Sequence, residues 1–296
     1  MKHLFRRRAE PEEGSMSLLQ ESWMRLLSNK GAVAGMVFLT ILVLTAICAD
    51  LIYDYETEVI MQDIPSRLQP PSLKGHLLGT DEYGRDLLAR LVHGSRMSLV
   101  VSFSSVVLAL AVGGTLGAMA GYFGGVIDNI IMRLTDVLLA IPMTLFAIVI
   151  VAALGANTTN LTLALGASSI PIFARVVRAS VLTVRQAEYV EAARSIGAKH
   201  GTVILRHILP NCIGPIIVQF TLRIAQAIYN TAALSFLGMG VQPPAPEWGG
   251  LLASGRTYIR DYSYLSIIPG LAIMSTILAL NLLGDGLRDA LDPRLK

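Results

Sequence analysis

Charge is scarce in this chain. Only 15% of its residues are Asp, Glu, Lys or Arg, against about a quarter in ordinary soluble domains. Such a composition offers no basic face for nucleic acid and is the opposite of a disordered, highly charged chain. Cysteine is scarcer still. Cys48 and Cys212 are the only two, too few for a disulfide framework or a thiolate metal site, so they read as small apolar fillers. The five histidines, His3, His76, His93, His200 and His207, are scattered, and no catalytic constellation can be assembled from them. A G-x-x-x-x-G-K-[ST] phosphate loop and an HExxH metal motif are both absent. No internal repeat or low-complexity tract is visible.

What is abundant is apolar. Hydrophobic residues make up 53% of the chain and the mean hydropathy is +0.58, too high for a water-soluble globule of this length. Six apolar runs, at about residues 32–49, 98–121, 127–154, 160–182, 212–236 and 264–284, are long enough to cross a bilayer core of about 30 Å. The chain reads as an all-helical polytopic protein whose first partner is the lipid bilayer. The run before Asp50 lacks small residues at a cleavage site, and Ile47 before Cys48 spoils a lipoprotein site, so an uncleaved first span is expected. An even number of spans puts both termini on one side. With the termini in the cytoplasm, sixteen Lys and Arg residues lie inside and seven outside, which favours that orientation. Five of those seven sit in the first outer loop, which is long and also acidic.

Between the runs, Ser17 to Asn29 reads as an amphipathic helix, with Ser17 and Gln20 forming a capping box and Trp23 at headgroup depth. In the outer loop, Thr80 and Asp81 are placed to cap a helix, and Leu87, Leu88, Leu91 and Val92 supply an apolar stripe. A separate helix lying on the outer surface is expected there.

Several positions within the runs carry mechanism. Gly113, Gly117 and Gly121 recur every fourth residue on one helix face, either to admit a neighbouring backbone or simply as glycines tolerated in a membrane helix. Arg133 and Asp136, spaced i, i+3, are expected to pair. Pro142 is expected to kink the third span, as a gate hinge or as a packing kink. In the fifth run Gln219, Arg223, Gln226 and Asn230 are spaced 4, 3 and 4, forming one polar stripe on an apolar helix. Polar groups facing lipid are costly and Arg at mid-membrane more so, so the stripe must face water or protein: a translocation path, or interhelical hydrogen bonding.

One polar segment stands between the fourth and fifth runs. From Gln186 to Leu205 hydrophobicity breaks without Gly/Pro clusters, consistent with a cytoplasmic helix–turn–helix. Ala192 and Ala193 keep the helix thin, Glu191 supplies charge, Gly197 permits a sharp turn or C-cap, and Pro210 marks the next span. Glu191-Ala192-Ala193, Gly197 and Leu209-Pro210 resemble the "EAA" coupling motif of ABC importer permeases. His207, two residues before Leu209, replaces the aliphatic residue frequent in that family and reads as a contact or capping residue. Three more stretches look like the dipeptide/oligopeptide/nickel branch: Gly79-Thr80-Asp81-Glu82-Tyr83-Gly84-Arg85-Asp86, the Pro243-to-Gly249 loop, and Gly284-to-Pro293.

The resemblance implies six transmembrane helices, with a five-helix type I importer permease core and a cytoplasmic coupling helix. Its units would be a tail with an amphipathic helix (1–30), a first span (31–53), an extracytoplasmic loop (54–97), the permease core (98–288) and a cytoplasmic tail (289–296). It implies a bacterial plasma (inner) membrane location. It implies a second, homologous permease subunit, two ATP-binding subunits that carry ATP and Mg, and an extracytoplasmic solute-binding protein. No cofactor, metal or catalytic residue is expected on this chain. Glu188, Glu191, Ala192, Ala193, Gly197, His207, Leu209 and Pro210 would contact the ATPase. Asp81, Arg85, Glu247 and Trp248 would form an outer gate or touch the binding protein, although proline alone explains a rigid turn at the Trp248 loop. The solute would be a di- or oligopeptide, with nickel chelates, glutathione or oligosaccharides as branch alternatives. A secondary transporter acting alone is the rival class; it would need an intramembrane carboxylate, for which Asp136 is the only candidate. A membrane enzyme would need a polar nucleophile or metal cluster that the sequence does not offer.

Overall fold

Five long helices set the frame, because long apolar stretches leave the backbone no other way to satisfy its hydrogen bonds in hydrocarbon. The structure is a computed structural model describing residues 18–291; Ser17, the basic N-terminal tail and Asp292-Pro293 lie outside the described residues. Helix α1 (Leu18–Ser28) is followed after one residue by α2 (Lys30–Ile47), whose N-cap Asn29 accepts a 3.1 Å hydrogen bond from the Ala32 amide. Leu26 is buried against Ala32 and Ala290, while Trp23, Met24 and Leu27 stay exposed, as an interfacial helix requires.

Past a short α3 (Ala49–Ile52), residues 53–86 form a module of turns, the outer module in the orientation expected from the charges. The β pairing among the described residues is a single bridge between Thr80 and Asp86. Then α4 runs unbroken from Leu87 to Phe123, capped by the Asp86 side chain on the Ala89 amide at 2.9 Å. The separate surface helix expected around Leu87, Leu88, Leu91 and Val92 does not exist: those residues are the first turns of the second span. Arg96 did not need to mark a break. Its guanidinium reaches the Ala46 and Ile47 carbonyls and Asp50, and so leaves the helix intact. Thr80 and Asp81 are not the caps either; their side chains bond within the loop, Thr80 to Ser66 and Asp81 to the Tyr83 and Arg85 amides.

The third run also departs from expectation. It is two helices, α5 (Gly125–Ala140) and α6 (Met143–Leu154), set at 86° to each other. Pro142 supplies no amide and holds Ile141 extended (φ −90, ψ 126), which turns the expected kink into a full break. The described residues therefore hold five long apolar helices, or six spans if the bent pair is one. Asp136 pairs with Arg175 at 2.5 Å rather than with Arg133, and Arg178 grips Asp128 through two bonds of 2.5 and 2.6 Å. Both pairs tie α5 to α7 (Thr158–Val184).

Helices α4 and α7 pack with almost no gap. A Cβ placed on Gly113 would stand 2.4 Å from the Ile170 carbonyl oxygen; on Gly117, 2.3 Å from that of Ala174; on Gly121, 2.9 Å from the Val181 Cβ. Next come α8 (Glu188–Ser195), the single turn α9 (His200–Thr202), a π turn (Val203–Ile208) and a 3-10 turn (Leu209–Cys212) leading into α10 (Ile213–Phe236). Finally α11 (Trp248–Gly255) lies against α12 (Tyr264–Leu291), whose Pro269 sits inside the helix. Ala225, Ile228, Trp248, Leu251, Ile273 and Leu280 join α10, α11 and α12 in one apolar cluster.

Candidate functional site

The polar segment expected to be a helix–turn–helix is built as one. Val190 and Ala193 of α8 are buried, and Val190 joins a cluster with Val177, Val181, Val203, Ile208 and Cys212. Glu188, Tyr189, Glu191, Ala192 and Ser195 occupy the opposite, exposed side. Glu188 and Glu191 in the first turn and Arg194 in the last suit the helix dipole. The helix stops at Gly197, whose φ of +81° only glycine adopts without strain. Its amide bonds to the Arg194 carbonyl at 2.9 Å and the Ala198 amide to Ala193 at 3.1 Å, the two bonds of a Schellman cap.

Beneath this segment sits the end of α4. The Arg194 guanidinium lies 4.8 Å over the Tyr122 ring, and the Tyr122 hydroxyl is 2.8 Å from His200 Nδ1. Sequence reasoning passed over Tyr122, since nothing local distinguishes it from other aromatic residues at a span end. It also passed over Ile196, 86% exposed, just past the end of α8, and Leu205, 67% exposed, in the π turn. His207 is half-buried, and its carbonyl accepts the Asn211 amide at 2.7 Å. Leu209 and Pro210 form the 3-10 turn that swings the chain into α10. Between α4 and this turn runs an apolar groove of about 600 Å³, lined among others by Leu110, Met119, Ile204, Leu209 and Ile216.

On α10 the four polar residues keep to one stripe at unequal depths. Gln219 and Arg223 are half-buried, Gln226 is exposed and Asn230 is buried. The Gln226 side-chain amide donates to Asn230 Oδ1 at 3.2 Å.

The four positions expected at an outer gate or against a binding protein lie inside the fold. Asp81, Arg85, Glu247 and Trp248 are all buried, at 4%, 7%, 2% and 1% exposure. Asp81 holds Arg85 at 2.7 Å and Arg90 at 3.3 Å. Glu247 caps α11, accepting from the Gly249 and Gly250 amides and from the Ser98 hydroxyl. Trp248 donates its indole N–H to the Leu91 carbonyl at 2.9 Å. They looked accessible because they are polar or sit in a proline-rich loop, yet each is satisfied internally, as buried polar groups must be. Elsewhere in the outer module, the Thr57 amide and hydroxyl hold the Asp54 carboxyl below its ordinary range, and burial beside Asp86 and Glu58 pushes the Tyr53 phenol up.

An all-helical, multi-pass frame that inserts an exposed polar helix between two spans is the fold of a type I ABC importer permease, and the likeness to solved structures agrees. An inward-facing MetNI methionine ABC transporter matches with a TM-score of 0.57 at 16% identity, over 69% of this chain and 96% of that one. An amino acid ABC transporter matches with a TM-score of 0.53 at 18% identity, over 68% and 94%. Residues 113–296 fit the family model "binding-protein-dependent transport system inner membrane component", and residues 17–71 fit "N-terminal TM domain of oligopeptide transport permease C". The chain is 46% identical to a di/tripeptide transport system permease protein of Pseudomonas aeruginosa, over 95% of this chain and 93% of that protein. It is 44% identical to a glutathione transport system permease protein of Pectobacterium atrosepticum, over 94% and 91%. This chain belongs to the family of binding-protein-dependent transport system inner membrane components. It is a multi-pass permease of the inner membrane, a transport protein rather than an enzyme.

Proposed function

We propose that this chain is one of two permease subunits of an ATP-driven importer of short peptides, and that α8 is where ATP hydrolysis enters it. The observation that carries the reading is the two-sided construction of α8. Its inner face is locked to α4, α7 and α10 by the Val190 cluster, and its outer face of Glu188, Glu191 and Ala192 is left bare. A short helix rigidly joined to the spans and presented outward is a handle for a separate motor. ATP and Mg belong to two ATP-binding partner subunits, and the solute arrives on an extracytoplasmic binding protein. Both termini lie in the cytoplasm, on the same side as α8. The peptide class rests on relatives named for di/tripeptides and for glutathione, itself a tripeptide. The stripe on α10 then lines the path.

Co-purification in mild detergent tests the reading. Tagged wild-type chain is expected to bring down ATP-binding subunits, and a Glu191→Lys, Gly197→Asp double variant to lose them while retaining the second permease. A folded wild-type chain that purifies with no ATPase, or uptake that a protonophore abolishes at constant ATP, points instead to a transporter working alone.

A further inference from the structure

Arg223 is the one Lys or Arg of the chain that the topology assigns to neither side of the membrane. It lies ten residues from the start of α10 and thirteen from its end, about 15 and 20 Å along the axis at 1.5 Å per residue. Among the described residues its guanidinium makes no ion pair and no hydrogen bond. Three arginines nearer the ends of the spans behave differently. Arg96, Arg175 and Arg178 each meet a carboxylate, Asp50, Asp136 and Asp128 respectively. A permanent charge at this depth, half-buried and unmatched within the chain, faces water or a counter-charge from outside the chain.

We propose that Arg223 binds the C-terminal carboxylate of the peptide in transit, an inference that rests on the importer reading above and specifies what the path recognises. The guanidinium presents a planar fork of donors that matches a carboxylate through two parallel hydrogen bonds. Gln219 and Gln226, one turn to either side on the same stripe, add amides that both donate to and accept from a peptide backbone. The stripe holds no acid, so it offers no counter-charge to the peptide's ammonium group. α10 therefore reads the carboxyl end, and the favoured cargo is a short peptide with that end free.

The test uses the complete transporter and its solute-binding protein in proteoliposomes. ATP-dependent uptake is measured for a labelled peptide and its C-terminal amide, the pair being chosen so that both bind the solute-binding protein. Wild type is expected to favour the free acid. Arg223→Gln is expected to lower acid uptake about ten- to hundredfold, the effect of losing a charge-assisted contact, and to leave amide uptake within about twofold. Arg223→Lys restores part of the acid uptake, and ATPase activity stimulated by loaded binding protein persists in both variants. Equal loss on acid and amide, or no preference in wild type, overturns the proposal. So does loss of the second permease subunit from purified Arg223→Gln, which makes Arg223 an interface ion pair. Absence of ATP-dependent uptake of either peptide by wild type brings down the importer reading itself, a result distinct from those three.

Discussion

At the scale of single residues, small side chains and buried polar ones decide the most. Gly117 has the Ala174 carbonyl 2.3 Å from where its Cβ would be, and a helix backbone does not yield locally. Gly117→Val is therefore expected to cost about 3 kcal/mol, the upper end of overpacking, read as a lowered thermal midpoint in detergent. Gly114→Ala is the control. Its Cβ would meet only the Leu110 side chain at 3.3 Å and Val177 at 3.9 Å, so gained helix propensity should leave stability unchanged or raised by about 0.5 kcal/mol. At the outer end, Glu247→Ala orphans two backbone donors and the Ser98 hydroxyl. A loss of about 2 kcal/mol follows from the cap and the desolvated donors, and Glu247→Gln, which keeps an acceptor, should lose less. The glycine spacing was legible in the sequence because a period of four survives without any knowledge of the neighbour. The burial of Glu247 and Asp81 was not legible, because their partners lie across the fold or in backbone amides that carry no sequence signature.

Among elements, the periodic ones were foreseen and the joints were not. Every apolar run contains a helix, since 20 or so apolar residues have one solution in lipid. The start of α4 was misplaced because a polar stretch from His93 to Arg96 resembles a boundary when the counter-charge on Asp50 cannot be seen. Likewise, Arg133 was matched to Asp136 by local spacing, whereas Arg175, 39 residues away, is nearer in space. The α8 turn was legible through Gly197, because left-handed backbone demands glycine. Nothing stands within 4 Å of a Cβ there, so Gly197→Ala isolates backbone strain from steric clash. We expect a cost of about 1 kcal/mol, seen as faster amide exchange through residues 188–198 with the spans unaffected. Loss of exchange protection in α4 or α7 instead would show that the cap supports the whole bundle.

For the whole molecule, orientation follows from charge counting and remains open to direct labelling. In a Cys48→Ser, Cys212→Ala background, Leu73→Cys, at a site 94% exposed in the outer module, is expected to react with an impermeant thiol reagent in intact cells. A cysteine placed at Glu191 should react only after permeabilisation. The opposite pattern reverses the topology and removes α8 from the reach of a cytoplasmic ATPase.

The unbroken course of α4 bears on how such a molecule works. At 37 residues it is about 55 Å long, well beyond the bilayer core. Its first turns are fastened to the outer module through Arg90 and the Val59 carbonyl, and its last to the coupling segment through Tyr122 and His200. The neighbouring chain can flex at Pro142 and in the π and 3-10 turns before α10, but α4 has no such joint. If the proposed motor docks on α8, α4 would serve as a pushrod: a displacement imposed at its Tyr122 end is expected to emerge at its Arg90 end, with no signal relayed residue by residue.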